Sequence, residues 1–486
     1  MIPKPVIAVI CLFALILSSC AGTRLHGREN PENRLKGRIL LPEMNVTRGE
    51  KHGAFYKAVP IPKRPISLQE AIEIALKNNH ALRRALEDVD IAAADKNIAR
   101  SLFLPGITAG WAYDWSDRQR AMVNPKNPLM PPMYAGEKEF RRAEIKLMMT
   151  IWDFGRSLGA YNQAKLGHEI AGLLYERARQ QVILNVVSAY YDLLRAQRGK
   201  IIAEESLVQA KEHLRTATVF EKYGVVDMND VLRAKVQVAE LSQMLIKARN
   251  GVELATSKLN SVLGINVNSP TRVVDNTTIV PFSLSLRDCL ELAVEHRPEF
   301  EVVQNVIRVE EEGIRTARAG HLPRIYVAGN YAWNDDDYQK FAGSTGGLHD
   351  DNISAEIGIQ IELFGGGRTT AEVRKAKKKL AKANEKAKDM CDGISLQVKA
   401  AFLDVHEARE RIKVTKEAVA QAKENLRLMN NKYRESVVTS IDIVDAETLL
   451  TRSKQNYYTA LYDYIVALAR LENAIGTSSK RIEATQ

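Results

Sequence analysis

The fold is decided by residues 353–368, whose sequence is ISAEIGIQIELFGGGR. Over the first 11 positions apolar residues alternate with Ser, Glu, Gly and Gln, which is the period of a β-strand with one apolar and one polar face. That length and alternation are typical of a membrane-spanning strand. Three glycines then lead into a segment without proline that is rich in Ala, Lys, Glu and Leu, which predicts a long helix. The stretch therefore predicts a transmembrane strand that turns directly into a helix.

The same alternation occurs in three other places, residues 107–115, 143–151 and 325–333. Aromatic residues gather towards one end of two of these strands, as expected for an interfacial girdle; they are Trp111, Trp115, Tyr331 and Trp333. Strands in lipid must close into a barrel, and single-chain bacterial barrels have at least eight strands. Four strands per chain therefore predict an assembly of two, three or four chains, and the strand count alone does not choose among these.

Most of the chain is a duplication, in which residues 67–263 recur in altered form as 285–475. Before the strands Ser67 recurs as Ser285, and after them the QAKE sequence of 209–212 recurs at 421–424, so the copies are spaced slightly closer after the strands. A duplication of this length predicts that both copies share one fold.

This pattern predicts five segments along the chain. They are a lipoprotein signal peptide at 1–19, a lipidated tether at 20–66, a first repeat at 67–280 with its strand pair at 107–151, a second repeat at 281–479 with its strand pair at 325–363, and a short tail at 480–486. Each repeat is expected to contain a helix, a strand pair and a long helical hairpin. Pro-rich residues 117–142 and the Asp- and Gly-rich residues 335–352 are predicted to be loops in solvent.

The long helix of each repeat carries a heptad pattern. In the second copy the first set of positions is Val398, Val405, Ile412, Val419, Leu426 and Tyr433, and the set three residues later is Ala401, Ala408, Thr415, Ala422 and Met429. Such a repeat with small residues predicts close, coiled-coil packing against neighbouring helices. The heptads alone favour an ordinary antiparallel coiled coil without a pore, and it is the strands that favour a channel.

The N-terminus predicts export and lipidation. Lys4 is the only charged residue before Cys20, and the apolar run at 6–17 is too short to span a bilayer, as in a signal peptide. The sequence Leu-Ser-Ser-Cys at 17–20 resembles the lipobox of bacterial lipoproteins, so Cys20 is predicted to become a lipidated, palmitate-bearing N-terminus. Ala21, rather than Asp, follows it, which favours the outer membrane. An ordinary signal peptide with an incidental Cys is the alternative.

Composition weighs against several function classes. The net charge of +10 is spread over interleaved acidic and basic residues, and no basic block with aromatics predicts a nucleic-acid surface. The sequence has no CxxC motif or paired histidines, so no metal site, cofactor site or disulfide framework is predicted. Nine scattered histidines provide no nucleophile–base set, and no enzyme is predicted.

Several short motifs, in order and in duplicate, resemble those of the outer membrane efflux family, the TolC-like channels, and in particular its lipid-anchored branch. They are Ser-Leu-x-x-Ala at 67–71, the junctions WDFGR at 152–156 and FGGGR at 364–368, and GxxDxxDVLxA at 224–234. The resemblance implies a mainly α chain with transmembrane β-strands. It further implies a homotrimer, in which a 12-stranded β-barrel is continuous with a 12-helix α-barrel.

In function, the resemblance implies the passive exit duct of a tripartite efflux system. Such a duct sits in outer-membrane lipid, extends into the periplasm, and works with a periplasmic adaptor protein and an inner-membrane transporter. The outer-membrane component of type I protein secretion is the alternative, and a pore-free periplasmic coiled-coil scaffold is a weaker one. The transported substrate is left open.

The resemblance also implies where the working parts lie. The adaptor would contact the hairpin tips, which are Gly224, Val225 and Val226 in the first copy and Ser436, Val437 and Val438 in the second. A periplasmic gate would be formed by Asp442, Asp445, Asp230 and Tyr433, with a hydrogen bond from Tyr433 to Asp230 as a latch. Two simpler interpretations stay open: Asp442 suits the first turn of a helix, and Tyr433 continues the heptad. Ser436 replaces the glycine usual in the family, which leaves the geometry of that turn open.

Overall fold

The structure is a computed structural model that describes residues 64–117, 120–122, 133–135, 139–275, 282–335 and 351–477. The predicted signal peptide, Cys20, residues 20–63 of the predicted tether and the tail at 480–486 lie outside the described residues. So do most of the two predicted solvent loops.

The described chain contains two copies of one series of elements. The first copy comprises α1 (Leu68–Asn78), α2 (His80–Ser101), β1 (Gly106–Trp115), β2 (Arg120–Met122), β3 (Met133–Ala135), β4 (Glu139–Trp152), α3 (Arg156–Lys222) and α4 (Met228–Leu263). The second comprises α5 (Leu286–His296), α6 (Pro298–Arg318), a 3-10 turn (Ala319–His321), β5 (Arg324–Asp335), β6 (Asp351–Gln360), α7 (Arg368–Arg434) and α8 (Ser440–Ala474).

The starts of the elements repeat at the two spacings read from the sequence. Helices α1 and α5 begin at Leu68 and Leu286, directly after the matched residues Ser67 and Ser285. Helices α3 and α7 begin at the matched arginines of the two junction motifs. Both α3 and α7 have 67 residues, which corresponds to about 100 Å of helix at 1.5 Å per residue. The predicted duplicated unit, with four long strands and very long helices, is confirmed.

Two details of the strands differ from the prediction. The Pro-rich loop contains a short hairpin, β2 paired with β3, which the sequence pattern did not indicate. Strand β6 ends at Gln360, three residues before the predicted end at 363. The physical reason is that Gln360 pairs with Arg324, the first residue of β5, so the sheet offers no further partner.

The four long strands form one antiparallel sheet in the order β1-β4-β5-β6. One face is apolar and exposed, with Trp111 69%, Ile353 77% and Ile357 78% accessible. The opposite face carries polar contacts, such as the bond from the Tyr326 hydroxyl to a Glu356 carboxylate oxygen at 2.7 Å. Within the described residues, the outer edges of β1 and β6 pair with no other strand.

Left-handed backbone conformations connect the sheet to the long helices. Phe154 and Gly155 precede α3 with φ of 54° and 93°, and Gly366 and Gly367 precede α7 with φ of 61° and 80°. Positive φ is readily adopted by glycine. The glycine run of the second copy is therefore explained by the turn from strand to helix.

The helices pack as the heptads predict. Val398, Val405 and Leu426 are buried on α7, as are Val186 and Leu193 on α3. The short helices α1 and α5 each begin with a capping box, Ser67 with Glu70 and Ser285 with Asp288. In the part of the chain that the structure describes, no helix has the length and apolar composition to span a bilayer.

Candidate gate at the helical tips

The two hairpin tips have the same backbone geometry. Gly224 has φ of 72° and Ser436 has φ of 58°, so the serine adopts the left-handed conformation of its glycine counterpart. In both tips the next N–H closes the helix end: Val225 N–H donates to Phe220 C=O and Val437 N–H donates to Lys432 C=O, each at 2.9 Å. The replacement of glycine thus leaves the turn unchanged, at the cost of some backbone strain.

The tips present apolar side chains. Val225 and Val437 are 48% and 68% exposed, while Val226 and Val438 are half-buried. The exposed pair is available for contact with another protein.

The carboxylate of Asp442 caps α8. It accepts hydrogen bonds from the Thr439 N–H and the Thr439 hydroxyl, both at 2.9 Å. These bonds, the backbone one first, hold the pKa of Asp442 below its usual value. Asp445 is exposed one turn later, and it makes no ion pair with any described residue. The helix-end role of Asp442 is thus visible in the single chain, whereas Asp445 makes no hydrogen bond or ion pair with a described residue that would explain its presence.

Tyr433 is packed between aromatic rings of α3. Its ring stacks on Phe220 at 5.7 Å between centroids and an interplanar angle of 18°, and it meets the His213 ring edge-on at 5.1 Å. The side chain is 3% exposed. Burial and, secondarily, the charge of Asp230 raise its pKa to about 12. The structure therefore brings the two predicted latch residues near each other.

The predicted hydrogen bond between them is not formed within the chain. Among the described residues, the buried Tyr433 hydroxyl has no hydrogen-bond partner. What the chain shows at Tyr433 is packing.

A row of buried polar residues joins the two hairpins close to the tips. The His213 Nε2 of α3 is hydrogen-bonded to the Ser440 hydroxyl of α8 at 2.7 Å, and the Ser206 hydroxyl is bonded to that of Thr451 at 2.7 Å. Glu447 lies between these two contacts on α8. We call these five residues the hairpin seam.

Glu447 and His213 are the titratable members of the hairpin seam. Glu447 is 6% exposed, and burial raises its pKa to about 7. Its Oε2 has no hydrogen-bond partner among the described residues. Burial also lowers the pKa of His213, against the opposing effect of the Asp230 charge. Both side chains are therefore best accommodated uncharged.

The hairpin seam is not among the sites predicted from the sequence. A signal was present, because Ser206, His213 and Phe220 are seven residues apart, as are Ser440 and Glu447. Polar residues at heptad spacing on two helices indicate a polar contact within a packed interface. Within the described ranges no group of three or more His, Cys, Asp or Glu could hold a metal ion.

Comparison with known proteins identifies the family that has this architecture. A family model described as "Outer membrane efflux protein" matches residues 71–265 and 289–477. The chain is 24% identical over 427 residues to the outer membrane protein TolC of Escherichia coli (strain K12), covering 85% of this chain and 83% of that protein. It is 21% identical over 431 residues to the alkaline protease secretion protein AprF of Pseudomonas aeruginosa, covering 86% of both.

Solved structures show the same fold. The CmeC outer membrane channel of Campylobacter jejuni superposes with a TM-score of 0.74 at 18% identity, over 86% of this chain and 88% of that one. At that identity the likeness establishes the arrangement of helices and strands.

Proposed function

The chain belongs to the outer membrane efflux protein family, and from this membership we propose that it is the outer-membrane exit duct of a tripartite efflux system. In this role it conducts substrates passively from an inner-membrane transporter and a periplasmic adaptor to the exterior. The proposal requires that the sheet lie in the membrane and that the long helices extend from it into the periplasm.

The observation that carries the proposal is the sheet with two unpaired edges. Edges β1 and β6 have backbone groups without a strand partner among the described residues, and unpaired backbone groups are not tolerated in lipid. The exposed apolar face would meet lipid and the polar face would line a water-filled interior. If β6 of one copy pairs with β1 of the next, the backbone groups of both edges gain partners, and the sheet closes with its apolar face towards lipid and its polar face towards the interior.

Three copies would close a 12-stranded barrel, and their long helices would form a ring of 12 helices. We therefore propose a homotrimer. Direct continuity of strand and helix, through Gly155 and Gly367, supports a barrel and a helical tunnel that share one lumen.

The adaptor is proposed to bind at the tips, through Gly224, Val225 and Val226 and through Ser436, Val437 and Val438. The gate is proposed to consist of Asp442 and Asp445, with Asp230 and Tyr433 holding the hairpins closed. Exposure of Val225 and Val437 and the closeness of Tyr433 to Asp230 support these assignments.

The mature N-terminus is proposed to be Cys20, lipidated and held in the outer membrane. The short apolar run and the Leu-Ser-Ser-Cys sequence support this. Labelling of cells with a palmitate analogue should tag the wild-type protein and leave a Cys20→Ala variant untagged. Labelling of both to the same extent would refute the anchor.

Type I protein secretion is the second candidate function. The match to a protein named for alkaline protease secretion, over 86% of both chains, favours it. Deletion of the gene distinguishes the two, because loss of efflux raises sensitivity to dyes, antibiotics or metals, whereas loss of secretion removes proteins from the medium.

Purification from outer-membrane fractions followed by reconstitution into planar bilayers tests the duct. We expect a trimer that dissociates only on heating and that gives discrete conductance steps. A monomer that is soluble once its lipid is removed, and that gives no conductance, would instead support a pore-free scaffold.

A further inference from the structure

The first third of α7 and the middle of α2 carry opposite charges. Residues 368–389 contain nine Lys and Arg against three Asp and Glu, a formal charge of +6. The corresponding residues of the first copy, 156–177, contain three against two, a charge of +1, so the shared fold does not require the basic excess. Residues 87–95 of α2 contain four Asp and Glu and no Lys or Arg.

The contact between α3 and α6 shows how long helices of the two copies pack side by side. The Gln163 side chain of α3 donates a hydrogen bond to Val309 C=O of α6 at 3.0 Å, and farther along the contact Arg177 pairs with Glu299 at 2.8 Å. Residue numbers rise along α3 as they fall along α6, so the two helices are antiparallel. This contact lies within one chain, and it serves as a template for its counterpart between chains.

The duplication predicts where that counterpart lies. Helix α7 is the copy of α3 and α2 is the copy of α6, so in a ring of copies α7 of one chain would lie against α2 of the next. The sheet leads to the same arrangement, because β6 is followed by α7 and α2 is followed by β1. Pairing of the β6 edge with the β1 edge would therefore bring these two helices together as well.

The α2 face that would meet the next copy is exposed in the single chain. On α6, the residues at the heptad spacing of the contact with α3 are buried or half-buried; they are Val302, Val306, Val309, Gly313 and Thr316. Their counterparts on α2 are all exposed; they are Arg84, Asp88, Ile91, Asp95 and Ile98. Ile91 and Ile98 are 59% and 67% accessible. The α2 face thus lacks, within the described chain, the helix that covers the matching face of α6.

The same contrast separates α3 from α7. The residues of α3 on the side of α6 are buried or half-buried; they are Gly159, Gln163, Leu166 and Ile170. Their counterparts on α7 are all exposed; they are Ala371, Lys375, Lys378 and Lys382. Both faces are therefore open to a neighbouring copy.

Residue matching then sets lysines of α7 against aspartates of α2. Gly313 of α6 lies against Gln163 of α3, because a Cβ added to Gly313 would be 2.8 Å from the Gln163 amide nitrogen. Leu166 and Arg308 line one groove between the same helices, and a third contact follows one heptad beyond the first. The counterparts of these three contacts are pairs of opposite charge: Lys375 with Asp95, Lys378 with Asp90, and Lys382 with Asp88.

These six side chains have no ionic partner that would compete with pairing between copies. All six are exposed, and none forms an ion pair with a described residue. Lys375 also lines a groove with Glu310 and Glu372 of its own chain, whereas Lys378 and Lys382 do not line it. The matched residues of α3 are uncharged, so the charge complementarity belongs to the contact between copies alone.

Resting on the proposed homotrimer, we propose that copies of this chain recognise one another through this charged contact between helices. Its two sides are the α7 basic face, which is Lys375, Lys378 and Lys382, and the α2 acidic face, which is Asp88, Asp90 and Asp95. Complementary charges across an interface fix its register and exclude wrong partners. The partner that fits is a second copy, because a chain of the same fold without the acidic face would leave three lysines unpaired in a packed interface.

Charge reversal on each side separately, and then on both sides, tests the contact. Lys375→Asp/Lys382→Asp reverses the α7 basic face, and Asp88→Lys/Asp95→Lys reverses the α2 acidic face. Each should lower the fraction of trimer at least about tenfold, because like charges would meet between copies; sedimentation of the full-length protein in detergent measures it. The chain with all four substitutions should regain the trimer, and added salt should partly restore it in each one-sided variant.

Lys377→Asp/Lys388→Asp is the matched control, because it reverses the same amount of charge on another side of α7. The counterparts of these two residues, Lys165 and Glu176, stay exposed on α3 although α3 packs against both α2 and α6. The control variant should therefore form the trimer as the wild type does.

The possible outcomes separate the charged contact from the duct. One-sided variants as trimeric as the wild type, or a four-substitution chain no more trimeric than they are, would overturn the contact. A control variant that loses the trimer to the same extent would overturn it as well. In each of these cases a conducting wild-type trimer leaves the duct intact, whereas a wild-type chain that is monomeric and gives no conductance would overturn the duct and the contact together.

Discussion

The imidazole of His213 and the hydroxyl of Ser440, 227 residues apart in the sequence, form a buried hydrogen bond of 2.7 Å. His213 belongs to the first copy and Ser440 to the second. The bond therefore ties the two hairpins of one chain together just above their tips, where a gate would have to move. Charge at this position is costly, because burial disfavours the ionised forms of both His213 and the nearby Glu447.

The stability of the hairpin seam should depend on pH through Glu447. Its pKa is about 7 in the fold and about 4.3 in an unfolded chain. The carboxyl is neutral and tolerated at low pH, and stability is lost as pH rises from 4.3 to 7, by up to about 4 kcal/mol per chain. We expect the trimer to dissociate at a lower temperature at pH 8 than at pH 6, and Glu447→Gln to remove most of that difference.

Two controls accompany this measurement. Glu176→Gln, at an exposed position on α3, should leave the pH dependence unchanged. His213 acts in the opposite direction, since its lowered pKa makes protonation unfavourable as pH falls below about 6.5. An identical pH profile for wild type and Glu447→Gln would show that Glu447 does not ionise in the seam.

The latch predicts a change in conductance. Tyr433→Phe keeps the stacking on Phe220 and removes a hydroxyl that has no partner in the described chain. Since the bond to Asp230 is not formed within one chain, the latch requires it between neighbouring copies of the closed trimer. Combined with Asp230→Ala, the substitution should raise single-channel conductance, because a bond between copies of about 1.5–3 kcal/mol would be lost. If conductance is unchanged, Tyr433 serves only to pack α7 against α3.

The two gate aspartates should behave differently. Asp445→Asn removes a charge without a contact in the described chain, so it should lower cation preference, measured as reversal potential, without affecting thermal stability. Asp442→Asn also weakens the cap on α8 formed with Thr439, and should therefore lower the thermal stability as well. A reversal potential unaffected by either substitution would remove both residues from the aperture.

The left-handed serine at the second tip should be improvable. Ser436→Gly relieves strain at φ of 58°, and we expect a gain of about 0.5–1 kcal/mol in thermal stability. The matched change Gly224→Ser in the first tip should cost a similar amount. The left-handed geometry of both tips requires that Ser436→Gly raise thermal stability and that Gly224→Ser lower it.

Glycines at the ends of α4 and α8 are expected to be intolerant of any side chain. A Cβ on Gly264 would lie 2.4 Å from Asn78 C=O, and one on Gly476 would lie 2.7 Å from His296 C=O. Both also have positive φ. Gly264→Ala should lower the free energy of unfolding by more than about 2 kcal/mol, through backbone strain and displacement of α1.

Gly172→Ala is the control, because Gly172 lies inside α3 with open space around it. This substitution should be neutral or stabilising. Equal losses of stability in both variants would exclude the contact between the added Cβ and Asn78 C=O as the cause.

The architecture could be predicted from the sequence because the strand alternation and the helical heptads are local patterns, and each occurs in both copies. Residues 353–363 show their alternation without reference to any other residue, and α7 repeats the heptad of α3 at the same spacing that relates the two QAKE sequences. The end of β6 at Gln360 was missed because it depends on where β5 begins. The hairpin at β2 and β3 was missed because prolines dominate the surrounding loop.

The site was less accessible to prediction for a different reason. Contacts such as Ser206 with Thr451 join residues 245 positions apart, and they follow from how α3 and α8 pack, which no single-helix pattern reveals. The roles of Asp445 and of the Tyr433–Asp230 pair depend on neighbouring copies, and they stay predictions.

The two unpaired sheet edges have a genetic consequence. Each chain offers one β1 edge and one β6 edge, so a chain with a single damaged edge could still join one neighbour while leaving the circle open. When such a variant is expressed together with the wild type, it would trap wild-type chains in assemblies whose barrel is not closed. Mutations that disable β6 alone are therefore expected to be dominant over the normal gene, whereas mutations that prevent the sheet from forming at all are expected to be recessive.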